Sequence, residues 1–166
     1  MPAGVKIHEL TASRAGVDKT SGIVRFKSVN STLVDTDDRL QVPTSGTNYS
    51  FTKQLRIYVA TAPSVDLQNL QAYSDGDGFR ASIGVQYDTS ATLFAVNASA
   101  DIAGTDLFTR GPATKIDMDA GLASTAFLGT GYKGLLLRLQ MSVAPSAEPG
   151  SLAASAETLT FSYDET

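Results

Sequence analysis

Apolar and polar residues alternate with a period of two along most of this chain, the spacing of strands buried on one face and wet on the other. Across residues 49–59, Tyr49, Phe51, Leu55, Ile57 and Val59 share one face, interrupted by Lys53. Ser50, Thr52, Gln54, Arg56 and Tyr58 share the other. Residues 135–143 set Leu135, Leu137, Leu139, Met141 and Val143 inward against Leu136, Arg138, Gln140 and Ser142 outward. The final segment opposes Leu159, Phe161 and Tyr163 to Thr158, Thr160 and Ser162. Shorter runs over 5–10, 22–29, 65–73 and 81–87 are compatible with the same period, which makes seven or eight strands.

Turn clusters separate these segments at 44–48, 74–78 and 145–150. Helical patterning is thin: the best window, 98–108, contains Gly104 and no clear capping box, so it predicts at most a turn or two. A chain of 166 residues forms one domain at roughly 100–200 residues per domain. The expected fold is all-β, a two-sheet β-sandwich of jelly-roll character over residues 1–166. Leu55, Ile57, Leu137, Leu139, Met141, Phe161 and Tyr163 are its expected core, because the strand phase leaves no other apolar face.

Composition removes many chemistries. There are no cysteines and one histidine, which excludes disulfides, thiol catalysis, Cys-ligated zinc and iron–sulfur clusters. The net charge of −4 provides no global basic footprint for nucleic acid or an anionic membrane. Only 18% of residues are charged, against roughly 25% in ordinary domains, and 17 Ser and 18 Thr fill the difference. No apolar run approaches the ~18–20 residues of a membrane span, and the N-terminus lacks the apolar core of a secretory signal. A protein made inside a cell, and kept there or released by lysis, is the expectation.

Candidate catalytic residues fall away one by one. Asp75-Gly-Asp77-Gly78 looks like part of a calcium loop, but with Gly78 at loop position 6 the first and last ligand positions hold Tyr73 and Gly84. Turn chemistry between strands explains the glycines instead. Asp35, Asp37 and Asp38, and the pair Asp117 and Asp119, read as solvated loops. His8 lies on an outward strand face with no Gly-x-Ser-x-Gly elbow elsewhere in the chain. Four Glu and no Trp argue against a glycosidase cleft. No catalytic residue, cofactor or metal site is therefore assigned, and the chain is not expected to be an enzyme.

Binding residues are easier to name. Tyr58 stands beside Arg56 on an outward face, where it is able to stack on a sugar, a base or a neighbouring subunit. From Thr89 to Ala100 there are twelve residues without one charge, opening an Ala-, Thr- and Gly-rich excursion that runs to about Gly131. Leu93, Phe94 and Val96 within it are assigned to an interface with another protein subunit, since interface cores are depleted in charge. The competing reading makes 93–96 one more core strand, with a further weak strand at 126–128.

Several segments together resemble small virion structural proteins of tailed bacteriophages. They are residues 5–11, Val-Lys-Ile-His-Glu-Leu-Thr, and 18–28, Asp-Lys-Thr-Ser-Gly-Ile-Val-Arg-Phe-Lys-Ser, with the strand 49–59. The segments 67–76 and 158–165 complete the set. The resemblance implies a non-enzymatic β-sandwich on the capsid exterior, a decoration or cement protein bound over the major capsid protein, and a symmetric homo-oligomer, a trimer, is the assembly expected of it. No direct nucleic-acid or membrane partner is expected. A head–tail or tail component of similar fold, and a glycan- or host-surface-binding jelly roll, are the alternatives.

Overall fold

The computed structural model describes residues 2–11, 16–64, 66–76, 78–96, 98–123, 127, 129–148 and 157–165. The expectations for Val65, Asp77, Asn97, Ala126, Leu128, Pro149 and Gly150 lie outside them. Ten strands occur among the described residues: β1 (Gly4–Leu10), β2 (Gly16–Asp18), β3 (Asn48–Tyr49), β4 (Lys53–Thr61) and β5 (Leu67–Ser74), then β6 (Ile83–Ser90), β7 (Thr105–Asp106), β8 (Ile116–Asp117), β9 (Gly131–Val143) and β10 (Leu159–Glu165). They make two antiparallel sheets. The larger runs β2-β1-β4-β9-β6-β7, with β3 also on β9; the smaller runs β10-β5-β8. The chain is thus an all-β, two-sheet protein, as the alternation predicts.

β9 is the spine of the larger sheet. Its 13 residues pair with β4 on one side and β6 on the other, from Ile83 opposite Val143 to Ser90 opposite Leu136. The β4–β9 register shifts between Leu55, opposite Leu137, and Ile57, opposite Lys133. Gly134 sits in this bulge at a positive φ of 67°, where a side chain would press on the Met118 carbonyl. The Nε of Arg56 donates to the freed Gly134 oxygen at 2.9 Å.

The inner face of this sheet carries Leu55, Ile57, Val59, Leu137, Leu139 and Met141, all buried. Leu67, Leu70 and Ala72 of β5 and Ile116 of β8 close over part of it from the smaller sheet. Beyond that smaller sheet, the segment 19–42 supplies Val24, Phe26, Leu40 and Val42 to the same core. The strand expected over 22–29 does not form there. Its backbone is committed elsewhere: the Lys27 oxygen accepts from the Phe51 N–H at 2.9 Å, and the Ser28 N–H donates to the Asp38 oxygen at 2.8 Å. A lone bridge, Lys27 to Arg39, is all the ladder that remains.

Three further expectations need correction. Tyr163 is 36% exposed and Phe161 only half-buried, because β10 is an edge strand whose register shifts between Ser162 and Asp164 and re-aims the residue between them. The run 93–96 is not a strand. Gln54, Leu136, Arg138 and Gln140, assigned to a wet face, are all buried. The helical signal at 98–108 shrinks to one 3-10 turn at Leu107–Thr109, with the Asp106 carboxylate accepting from the Phe108 N–H at 3.1 Å.

Burial on both faces of β9 has a measurable consequence. Leu137→Ala is expected to lose about 2–5 kcal/mol by cavity formation. Leu136→Ala, on the opposite face, should lose a comparable amount. Urea denaturation of both variants checks this, and a loss confined to Leu137 would mean that the second face is not a packed one.

Candidate interaction surfaces

What covers the outer face of β4 and β9 is the uncharged segment itself. Residues 91–96 and 98–102, which carry it on to Asp101, lie across that face as a strap, fastened by side chains that the alternation points outward. The Gln54 amide makes a two-way pair with the Phe94 backbone, Nε2 to oxygen at 2.8 Å and Oε1 from the N–H at 3.0 Å. Gln140 accepts from the Asp101 N–H at 3.0 Å and donates to the Ser99 and Ser50 oxygens at 2.8 and 2.9 Å. Buried amides left unpaired would each cost about 1–3 kcal/mol, so the strap and the glutamines require one another.

Arg138 completes the fastening. Its guanidinium reaches Asp101 at 2.9 Å and Asp88 at 3.3 Å, and lies 4.3 Å from the centre of the Phe94 ring. Burial raises the Asp88 carboxyl above its ordinary range, against the pull of Arg138. Thr52 Oγ1 also donates to Asp101, at 3.0 Å. Phe94 nevertheless stays 43% exposed, while Leu93 and Val96 are half-buried. The residues named from the sequence as an interface therefore lie on the protein surface over a fastened backbone.

Tyr58 and Arg56 share this outer face, one strand length away. Tyr58 stacks on His8 at 4.5 Å and meets Tyr132 edge-on at 5.1 Å; the His8 Nδ1 is 3.1 Å from the Tyr132 hydroxyl. The packing follows from register, since β1 sets His8 opposite Arg56 and β4 sets Tyr58 opposite Tyr132. Gly16 of β2 covers this cluster so closely that a Cβ there would collide with the tyrosine hydroxyl and the imidazole. One face of Tyr58 is therefore occupied within the chain. Arg56 is spent on the β9 bulge.

The sequence reading missed a second surface. On the inner face, at the end not reached by the smaller sheet, Glu9 receives Lys53 at 2.9 Å and Lys19 at 3.5 Å, all three buried. Lys19 Nζ also donates to the Ile23 and Thr32 oxygens at 3.1 and 2.7 Å, and Lys53 Nζ to the Ser31 oxygen. Lys27, buried too, pairs with Asp35. These amines hold the irregular segment 19–42 from beneath while Ile23, Val29, Leu33 and Val34 are exposed above. Lys53 interrupting an apolar face was the one available signal.

The acidic turns serve the fold. The turn after β5 wraps the Glu157 carboxylate, which accepts from the Ser74 hydroxyl and from the Gly76 and Gly78 N–H groups at 3.2 and 2.9 Å. Asp119 accepts from the Leu70 N–H at 3.1 Å, and burial raises its carboxyl. Among the described residues no three His, Cys, Asp or Glu side chains converge as a metal site. An open depression of about 740 Å³ between 100–104 and β6 is lined by residues such as Tyr49, Ser82, Gly84, Gln86 and Ser142, without a carboxylate, histidine, lysine or arginine.

Two titration and charge experiments follow from this geometry. Burial lowers the His8 pKa below 6.5, so the unfolded chain binds the extra proton first. Stability is then complete above pH 6.5 and falls as pH drops from there through the folded value; His8→Gln should flatten that slope in thermal melts. Glu9→Gln removes the one charge that balances two buried amines and should cost about 3–5 kcal/mol by chemical denaturation. An effect near zero would show that the amines are already satisfied by carbonyls.

No family model, curated protein or solved structure matches this chain, so its function is argued from these surfaces.

Proposed function

We propose that this chain is a non-enzymatic structural protein of a tailed-phage virion, a trimer that decorates the capsid exterior and cements it through contacts with the major capsid protein. The observation that carries this reading is the strap. Two buried glutamines, a buried arginine and a threonine hold the uncharged segment on the outer sheet, at Phe94 and at the Asp101 that follows it, with the Phe94 ring at the surface. A surface ordered in advance loses little conformational entropy on binding, and an apolar ring among small uncharged residues suits the core of a protein contact.

The mechanism needs no bond chemistry. Each copy adds modest binding energy at its site, and copies joined in a trimer engage together, so avidity multiplies the effect on the shell. A ligand that binds the assembled shell better than its separated subunits stabilises the assembly by mass action. The resemblance of segments 5–11, 18–28, 49–59, 67–76 and 158–165 to small phage virion proteins supports the same choice of partner.

Ala91 and Ala95 lie on either side of Phe94 in the strap, and both are exposed. Ala91→Asp with Ala95→Asp is expected to leave the melting temperature unchanged and to abolish co-sedimentation with shells assembled from the major capsid protein. Binding at unchanged affinity would place the contact elsewhere. A wild-type chain that ignores such shells and instead binds a glycan array would replace this reading with the lectin-like one.

A further inference from the structure

Within the twelve residues from Ile23 to Val34, four apolar side chains face solvent, Leu33 by 65% and Ile23 by 55%. A slack loop would fold such residues inward. Here the backbone has no such freedom, because Lys19 and Lys53 hold the oxygens of Ile23, Ser31 and Thr32 from below, and Val24 and Phe26 are packed into the core. The exposed set is presented by design of the backbone beneath it.

Charge selects what covers this patch. Lys27 and Asp35 neutralise each other, leaving Arg25, Arg39, Asp37 and Asp38 exposed in and beside it, two of each sign. The whole chain carries −4, so two copies repel across most pairs of acidic surfaces. At this patch they do not. With both signs present, a rotation axis beside the patch would let the arginines of one copy meet the aspartates of the next around the apolar side chains.

We infer that residues 23–39 form the contact between copies of this chain. The inference rests on the assembly reading above and divides the surfaces within it. Lys53 points to the inner face with Leu55, whereas Gln54 points to the outer face and holds Phe94. The patch and the strap therefore lie on opposite sides of the larger sheet, and self-association leaves the strap free for the shell.

Sedimentation equilibrium of the purified full chain, without any particle present, tests this directly. The wild type is expected to be oligomeric, and Ile23→Asp with Leu33→Asp to raise the dissociation constant by about tenfold or more. Both side chains are exposed, so circular dichroism and the melting curve of the variant monomer should remain those of a folded protein. Phe94→Asp should leave the oligomer intact. A wild type that is monomeric at its highest soluble concentration overturns the inference. So does a folded Ile23→Asp, Leu33→Asp variant that keeps its oligomer; if that variant also loses shell binding, the patch belongs to the shell contact. An oligomer broken by the patch variant in a protein that binds no shell would uphold the self-contact and defeat the capsid reading.

Discussion

Burial of the central strands β4 and β9 on both faces is the constraint on which the remaining structure depends. An antiparallel sheet ordinarily leaves one face to water, and a sequence that alternates then needs no cover for its polar side. Here Gln54, Arg138 and Gln140 are removed from water together with Leu136. Polar groups in that position need partners, and the only economical ones are backbone groups and carboxylates brought in by another segment. The strap supplies them through Phe94, Ser99 and Asp101. Its irregular course is what allows successive N–H and C=O groups to turn toward side chains in place of a neighbouring strand.

The same logic operates on the other face at the end where the smaller sheet stops. Glu9 and Lys53 lie in the row of residues that otherwise builds the core, and Lys19 joins them from the segment after β2. One carboxylate cannot satisfy two ammonium groups, so carbonyl oxygens of 23, 31 and 32 complete their shells. An irregular segment is thereby tied to the sheet at three backbone carbonyls. Both non-strand coverings end with apolar side chains toward solvent, Phe94 on one face of the sheet and Leu33 with Ile23 on the other, and those are the surfaces from which an assembly role is argued.

Much of the architecture was legible in advance. The strands over 4–10, 53–61, 67–74, 83–90, 131–143 and 159–165 correspond to the period-two runs, and Leu55, Ile57, Leu137, Leu139 and Met141 are buried as their phase requires. The errors share a cause. Tyr163 was placed inside because alternation reports a face and not whether anything covers it, and at an edge strand with a register shift nothing does. Residues 22–29 are compatible with the same period, yet Lys27 and Ser28 give their backbone groups to Phe51 and Asp38. Leu93, Phe94 and Val96 stand out in the sequence through the absence of charge nearby, while Ile23 and Val29 lie within a run compatible with a strand, and Leu33 and Val34 fall in no pattern at all.

By itself the sequence determined the class of fold, the phase of its principal strands and a composition with no cysteine and one histidine, because period, charge and residue counts are local properties. The tertiary structure alone decided which polar residues are buried. Gln54 and Gln140 are ordinary outward glutamines until a segment some forty residues away in each case lies across them, and Lys53 is a flaw in an apolar face until Glu9 and the Ser31 carbonyl meet it. Hydrogen bonds between side chains and distant backbone leave no periodic trace in the sequence, since the partner backbone group is the same for every residue type.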